Sequence, residues 1–425
     1  MLASTSNDIN TSIHNLLNGK PPGNPEIINK LTAGISFLTE FWRDKYLYEY
    51  IRLGGSKIKF LTGSPGSGKS HCLELFLTQA ASDGFAAVYL DAKTTRIDDF
   101  KEIYSAVYNN VNILEYLEKC AGKIITEMGF DQSEIPAGIS FTDYLAGENL
   151  LDPITKRELR LQLNKMFMRN PMIDNNFALC CSFLTGGLLG HPTIETSNGE
   201  LLMSWLAASK EHKLSDYRKL GLSPARITKH NARHMLRSLV EIIKLAGYSG
   251  LVVGIDNLEA LIISSGLDVI RYTKQRREDA YESIRELIDE IDTLHNIMFI
   301  FSFDSKLAED ENAGIKSYQA LWMRIQNEVA GERFNRFGDM SDLDKLAAQE
   351  YNGEIIGEMS ASLAEVMNIY QSGYKKITPL DRTAVKLLID QSEFGIMSIP
   401  FRVGAKTFKN ITGFDNKITG ESEEF

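Results

Sequence analysis

The stretch from Lys57 to Leu73, KIKFLTGSPGSGKSHCL, limits the possible folds more than any other part of the chain. A short apolar run, Ile58 to Leu61, ends in a glycine-rich loop, and Leu73, Phe76 and Leu77 then recur at helical spacing. Residues Gly63 to Ser70 match G-x-x-x-x-G-K-[S/T], the Walker A phosphate loop. Gly63, Ser64, Pro65, Gly66, Ser67 and Gly68 can curl their backbone around a polyphosphate in conformations that side chains would forbid. The helix that follows, with His71 in its first turn, aims its positive end at the same anion. Lys69 suits the β- and γ-phosphates, and the Ser70 hydroxyl suits a Mg²⁺ shell. A chance glycine loop has no need of a strand before it and a helix after it. The expectation is a nucleoside triphosphate site, for ATP with Mg²⁺, in a parallel α/β sheet.

Composition then excludes whole classes. A chain of 425 residues can bury one large core or roughly two to three smaller ones. Its net charge of −10 argues against a coat of nucleic acid and leaves room for a local basic groove. Cys72, Cys120, Cys180 and Cys181 form no C-x-x-C pair and no metal-ligand spacing, so reduced core thiols are expected. The polar start lacks the order of a signal peptide, and no apolar run is long enough to span a membrane. The expected compartment is the cytoplasm.

Along the chain, residues 1–35 read as an extension with a turn at Pro21-Pro22-Gly23, and Ile35 to Leu53 as a helix leading into the first strand. Gly84 to Ala92 is a second buried strand with Asp91 at its carboxyl end, a place that suits a ligand or a helix cap equally. Residues 94–230 form a large helical insertion in a P-loop core spanning 36–338, and such an insertion is where a partner would bind. Asn231 to Gly247 is an amphipathic helix; Lys229, His230, Arg233, His234 and Arg237 give it a basic face, for nucleic acid or simply for solvent. The apolar strand after it ends in Asp256, the Walker B pattern, which would hold Mg²⁺ through its water shell. Lys274, Arg276 and Arg277 open the next helix as a second basic cluster. The strand Asn296 to Phe303 ends with Ser302, the first candidate for positioning the attacking water, and Asp304, the second. Arg333 and Arg336, interleaved with phenylalanines, suit either an arginine finger for a neighbouring subunit or ordinary salt bridges. From Ser341 onward the chain reads as mostly helical, in a lid domain over 339–425.

In this order the motifs resemble the AAA+ and related additional-strand ATPases. That resemblance implies a lid arginine, by position Arg402, and a homo-oligomer in which arginine fingers act between subunits. The phrases NARHMLRSLVEIIKLAGYSGLVVGIDNLE, YTKQRREDAYESIRELIDEID, GIKSYQALWMRIQNEV and RFNRFGD resemble a narrower group, the BrxD-type ATP-binding proteins of BREX bacterial phage-resistance systems. The likeness runs from about residue 30 to 410. It implies action on duplex DNA with DNA-modification and DNA-restriction partners, as a motor or loader. The alternative is an ATP-gated switch or scaffold with little hydrolysis. One residue departs from the pattern. AAA+ ATPases commonly carry glutamate directly after the metal-strand aspartate, where this chain has Asn257. An amide orients water but is no general base at neutral pH. Glu259 takes over only if the backbone bends, and otherwise slow turnover is expected.

Overall fold

The structure, a computed structural model, describes residues 9–18, 20–191, 198–223, 226–263, 269–329, 333–370, 376–390 and 398–408. The chain divides into two compact units, one of Met1–Asp98, Val252–Ile291 and Met298–Phe425, the other of Asp99–Leu251 and Asp292–Ile297.

The first unit is built on a parallel sheet of five strands: β1 (Ser56–Gly63), β2 (Ala86–Asp91), β3 (Leu251–Asp256), β4 (Ile297–Asp304) and β5 (Met340–Asp342), in the order β2-β3-β4-β1-β5. Strands covered on both faces read as unbroken apolar runs, and every residue of β3 is buried. β4, though late in the chain, lies between β1 and β3. Parallel pairing brings Gly63, Asp91, Asp256 and Asp304, the last residues of β1 to β4, to one edge, where open α/β sheets bind ligands. β5 is the element the sequence conceals. Phe60, Leu61 and Thr62 pair with Met340, Ser341 and Asp342, and so short a strand carries no readable alternation.

The helix Lys69–Ser82 covers this sheet with Leu73, Phe76 and Leu77, which join Val252, Met298 and Ile300 in the core. Each such side chain contributes roughly 1.5–3 kcal/mol when fully buried. Gly254 permits the close approach: a Cβ there would sit 2.8 Å from Leu73 Cδ1. The helix Ser36–Trp42 runs on into β1 through a π-helix, Arg43–Ile51, and Trp42 meets Phe76 edge-on at 5.3 Å.

The extension packs on the other end of the chain. Asn24 caps the helix Pro25–Leu31 by accepting from Glu26 N at 2.9 Å. Ile13 and Ile27 then enter a core with Val366, Met367, Ala405 and Phe408, from the helices Gly353–Tyr370 and Ile399–Thr407 and the residue after them.

The second unit is helical among its described residues. Its helices include Phe100–Asn110, Ile113–Glu127, Pro153–Leu163, Asn175–Leu188, Asn198–Leu206 and Ala232–Leu245. Asp99, Asn112, Asp152 and Asp174 accept from the first-turn backbone of the helices they precede, which starts each helix by local chemistry. All four cysteines of the chain are free and buried.

Candidate functional site

The loop Gly63–Ser70 joins β1 to the helix Lys69–Ser82. Gly66 and Gly68 take φ of +77° and +91°, the left-handed region that favours glycine. A Cβ on Gly68 would meet nothing within 4 Å, so the backbone is open at that residue. Lys69 Nζ donates to Gly63 O at 2.8 Å and Ser64 O at 3.0 Å, folding its ammonium back over the loop. Ser67, buried beneath, has a hydroxyl with no partner among the described residues. Open backbone, a lysine on exchangeable carbonyls, an orphan hydroxyl and a helix start fit a polyphosphate. Ser70 is half-buried in the first turn. His71 bonds Thr32 Oγ1 at 3.0 Å, and desolvation pushes its imidazole down to about 4, so it enters as a neutral group.

Facing the loop is the end of β3. Asp256 is 1% exposed and accepts from the Tyr89 hydroxyl at 3.0 Å. Strand geometry stops there, because Asn257 has a φ of +57° and begins a 3-10 turn, Leu258–Leu261. Asparagine tolerates this conformation better than most residues with a Cβ. Its Oδ1 accepts from Lys93 Nζ at 2.9 Å, so the amide oxygen is already committed. The turn swings Glu259 round until its Oε2 accepts from Asp304 N at 3.2 Å, at the end of β4. Burial raises the Glu259 carboxyl above the ordinary carboxylate range; the charge of Asp256 adds to that, and Lys69 and Lys93 oppose it. The backbone thus bends at Asn257, and the Glu259 carboxylate lies at the end of β4.

Ser302 lies on β4, fully buried, and its hydroxyl has no hydrogen-bond partner among the described residues. Asp304 caps the next helix through Lys306 N at 3.0 Å, the ordinary structural role of a strand-end aspartate.

Several groups at the site went unnoticed in the sequence. Glu74 stands four residues after Ser70, one helical turn on, and burial, with Asp256 adding to it, pushes its carboxyl up to about 7. Tyr89 lies two residues before Asp91, on one face of β2. Asp344 lies in the first turn of the helix Leu343–Glu350, directly after β5: it accepts from Ser64 N at 2.6 Å and from Ser64 Oγ at 2.9 Å. Ser398, ahead of the helix Ile399–Thr407, lies 2.5 Å from Ser64 Oγ and donates to Pro65 O at 3.2 Å. Phe401 of that helix covers Gly66 so closely that a Cβ there would collide with it. Spacing along the chain shows Glu74 and Tyr89; only folding brings Asp344 and Ser398.

The arginines are more scattered. Arg336 is exposed and lies over the rings of Phe41, at 5.1 Å, and Phe337, at 5.3 Å. Its segment is moored by Tyr46, whose hydroxyl donates to Phe337 O at 3.3 Å, and by the buried Lys59, which donates to Gly338 O. Arg333 is exposed in the same segment. Arg402 donates from Nη1 to Leu388 O at 2.9 Å. Of the basic clusters, Arg276 is 4.0 Å from Asp98 and Lys274 is 3.9 Å from Glu278, so both have nearby acids. Arg233 stacks on Phe100 at 5.0 Å, while Lys229 is exposed. No helix among the described residues is long and apolar enough to cross a membrane.

Residues 44–400 match the family model described as BREX system ATP-binding protein BrxC/D. No curated protein and no solved structure matches the chain.

Proposed function

Because the chain belongs to the BrxC/D family of BREX system ATP-binding proteins, we propose that it hydrolyses the ATP it binds, with Glu259 as general base. ATP-binding membership in a phage-defence system is the premise; hydrolysis, its residues and its use are our reading. The observation that carries it is the left-handed turn at Asn257, which sends the Glu259 carboxylate toward the end of β4 within the electrostatic reach of Lys69 and Asp256. A base with a raised pKa is better matched to neutral pH than an ordinary carboxylate. Further support comes from β4, an added strand between the phosphate-loop strand and the strand of Asp256, as in AAA+ and additional-strand ATPases.

Each residue has a task in this reading. The backbone of Gly63 to Gly68 and the Lys69 ammonium hold the phosphates, and His71, kept neutral, adds no charge. Ser70 and Asp256 are the residues to hold Mg²⁺, which when bound offsets phosphate charge. Tyr89 orients the Asp256 carboxylate, Lys93 fixes Asn257 in its turn, and Glu259 takes the proton of the attacking water. Ser302 supplies an uncommitted hydroxyl for positioning. Arg333 and Arg336, on a segment moored to the sheet, are presented outward for a neighbouring copy in a homo-oligomer, with Arg402 as the lid cation. The work driven is motor or loader action on duplex DNA beside modification and restriction partners. The second reading, an ATP-gated switch, draws on the bonds of Ser64 to Asp344 and Ser398, which tie the loop to the C-terminal helices.

Phosphate release with and without duplex DNA tests both. A motor accelerates with DNA and loses its turnover in Glu259→Gln. A switch binds ATP tightly and responds to neither. Rapid hydrolysis that survives Glu259→Gln refutes the assignment of the base.

A further inference from the structure

The second unit has a cavity of about 400 Å³ between the start of the helix Phe100–Asn110, the end of Asn198–Leu206 and the segment leading into Ala232–Leu245. That volume lies within the ~300–1,000 Å³ of small-ligand sites. Lys210, Arg226, Lys229 and His230 stand around it, all exposed, and none makes an ion pair among the described residues. Of the acids in the lining, Asp99 caps its own helix through Lys101 N at 2.9 Å, and Glu102 lies 3.4 Å from Lys101. The acids are thus committed and the remaining cations are not. On a chain of net charge −10, such a local excess is out of character.

A second observation points the same way. Trp205, 1% exposed, forms part of the wall, and its buried indole Nε1–H has no acceptor among the described residues. Tyr217, also in the wall and 1% exposed, has its hydroxyl 3.1 Å from Ser204 Oγ. Buried donors are almost always paired, so an orphan beside uncommitted cations marks a place where a ligand brings the acceptor. The helix Ala232–Leu245 begins just past His230 without a side-chain cap from Asn231.

We propose that this cavity binds a phosphate-bearing ligand the size of one nucleotide, its phosphate held by Lys210, Arg226, Lys229 and His230. The source is either a free nucleotide or one unit of a nucleic-acid strand. The cavity is too small for a folded partner and too polar at its rim for a lipid chain. It is independent of the phosphate loop, and the test keeps the two apart.

Titrations on the Lys69→Ala variant remove the loop as a competitor. The probes are AMP, followed by calorimetry, and a fluorescent single-stranded DNA, followed by anisotropy at low salt. Binding of AMP identifies the free nucleotide as the source, and binding of the strand alone identifies nucleic acid. In either case Lys210→Glu with Lys229→Glu weakens binding roughly tenfold or more, because each charge-assisted contact is lost and replaced by repulsion. For the strand, the salt dependence also becomes shallower, by roughly 0.7 in log–log slope for each phosphate contact removed. Trp205→Phe weakens binding several-fold and leaves the helical circular dichroism intact. Should the double variant fail to fold, Arg226→Glu carries the same test. Should Lys69→Ala fail to fold, the strand titration is made on the wild-type chain saturated with ATP. The proposal is overturned if neither probe binds, or if a folded charge-reversed variant binds as well as its parent. An intact loop with an inert cavity rejects this inference alone; a dead loop with a working cavity rejects only the ATPase reading.

Discussion

The two sides of the candidate nucleotide site follow different rules. On the loop side, every residue from Gly63 to Ser70 has the type its position calls for, and the backbone does what the glycines permit. On the opposite side, the residue after Asp256 is an amide, and Glu259, the base we propose in its place, is carried round by a left-handed turn. Holding a triphosphate depends on consecutive amides, which a short sequence can specify by itself. Cutting one depends on a single carboxylate in one place, which any backbone path that delivers it will satisfy. If Glu259 is the base as proposed, substitutions on the two sides should separate binding from hydrolysis.

The largest effect belongs to the loop side. Lys69→Ala should abolish measurable ATP binding, a loss on the order of a hundredfold or more, since each charge-assisted bond is worth ~1.5–3 kcal/mol. Calorimetric titration with a non-hydrolysable analogue checks this, and unchanged affinity would break the comparison at once. Next comes Glu259→Gln, which should lower turnover ~100- to 10,000-fold with analogue affinity nearly unchanged. A drop in affinity as large as the drop in rate would mean that the two sides are not separable.

Glu74 sharpens the comparison because it stands on the loop helix yet responds to Asp256. Its folded pKa of about 7 exceeds the ordinary 4.5, so the folded chain keeps a proton that the unfolded chain releases. Stability should accordingly be greatest below pH 4.5 as far as this group is concerned, and fall as pH rises toward 7. Glu74→Gln should flatten that slope and stabilise the fold on the alkaline side by on the order of 1–3 kcal/mol, read from urea midpoints across the interval. An unchanged slope would mean that Glu74 is solvated.

The smallest effect tests the turn itself. Asn257→Gly keeps the left-handed conformation and should hold turnover within roughly threefold, whereas Asn257→Val forces a β-branched residue into it at a cost of ~1–3 kcal/mol. Rates kept in both would show that neither the amide nor the strain of the turn matters to turnover. A rate lost in both variants would give the side chain, with its bond to Lys93, the leading part.

Much of this architecture was legible because parallel strands are written as apolar runs and the helices carry their caps beside them. Leu251 to Asp256 and Ile297 to Phe303 announce themselves, as do Asp99, Asn112 and Asp152. β5 does not, because Met340–Asp342 derives its strand character from pairing with β1 and not from its own composition. The site divides in the same way. Lys69 and Asp256 sit in motifs, and Glu74 sits at a helical interval from Ser70. Asp344 and Ser398 reach Ser64 from roughly 280 and 330 residues away, a proximity that no local pattern encodes. The bend at Asn257 was open in the sequence as a condition, since a residue tolerant of positive φ can also lie in an ordinary strand.

The hold of Asp344, Ser398 and Phe401 on the phosphate loop also bears on how the molecule melts. Their segments share a unit with the loop, and Ile27 and Phe408, from opposite ends of the chain, share a core beside them. Heat that loosens the helix Ile399–Thr407 strips Ser64 and Pro65 of partners, and a loop that loses its shape releases the helix in return. The two unfold as one cooperative block. A ligand on the loop then raises the melting temperature of the helix Ile399–Thr407, and hydrogen exchange at Val403 and Ala405 slows when ATP is present, although neither residue belongs to the phosphate loop.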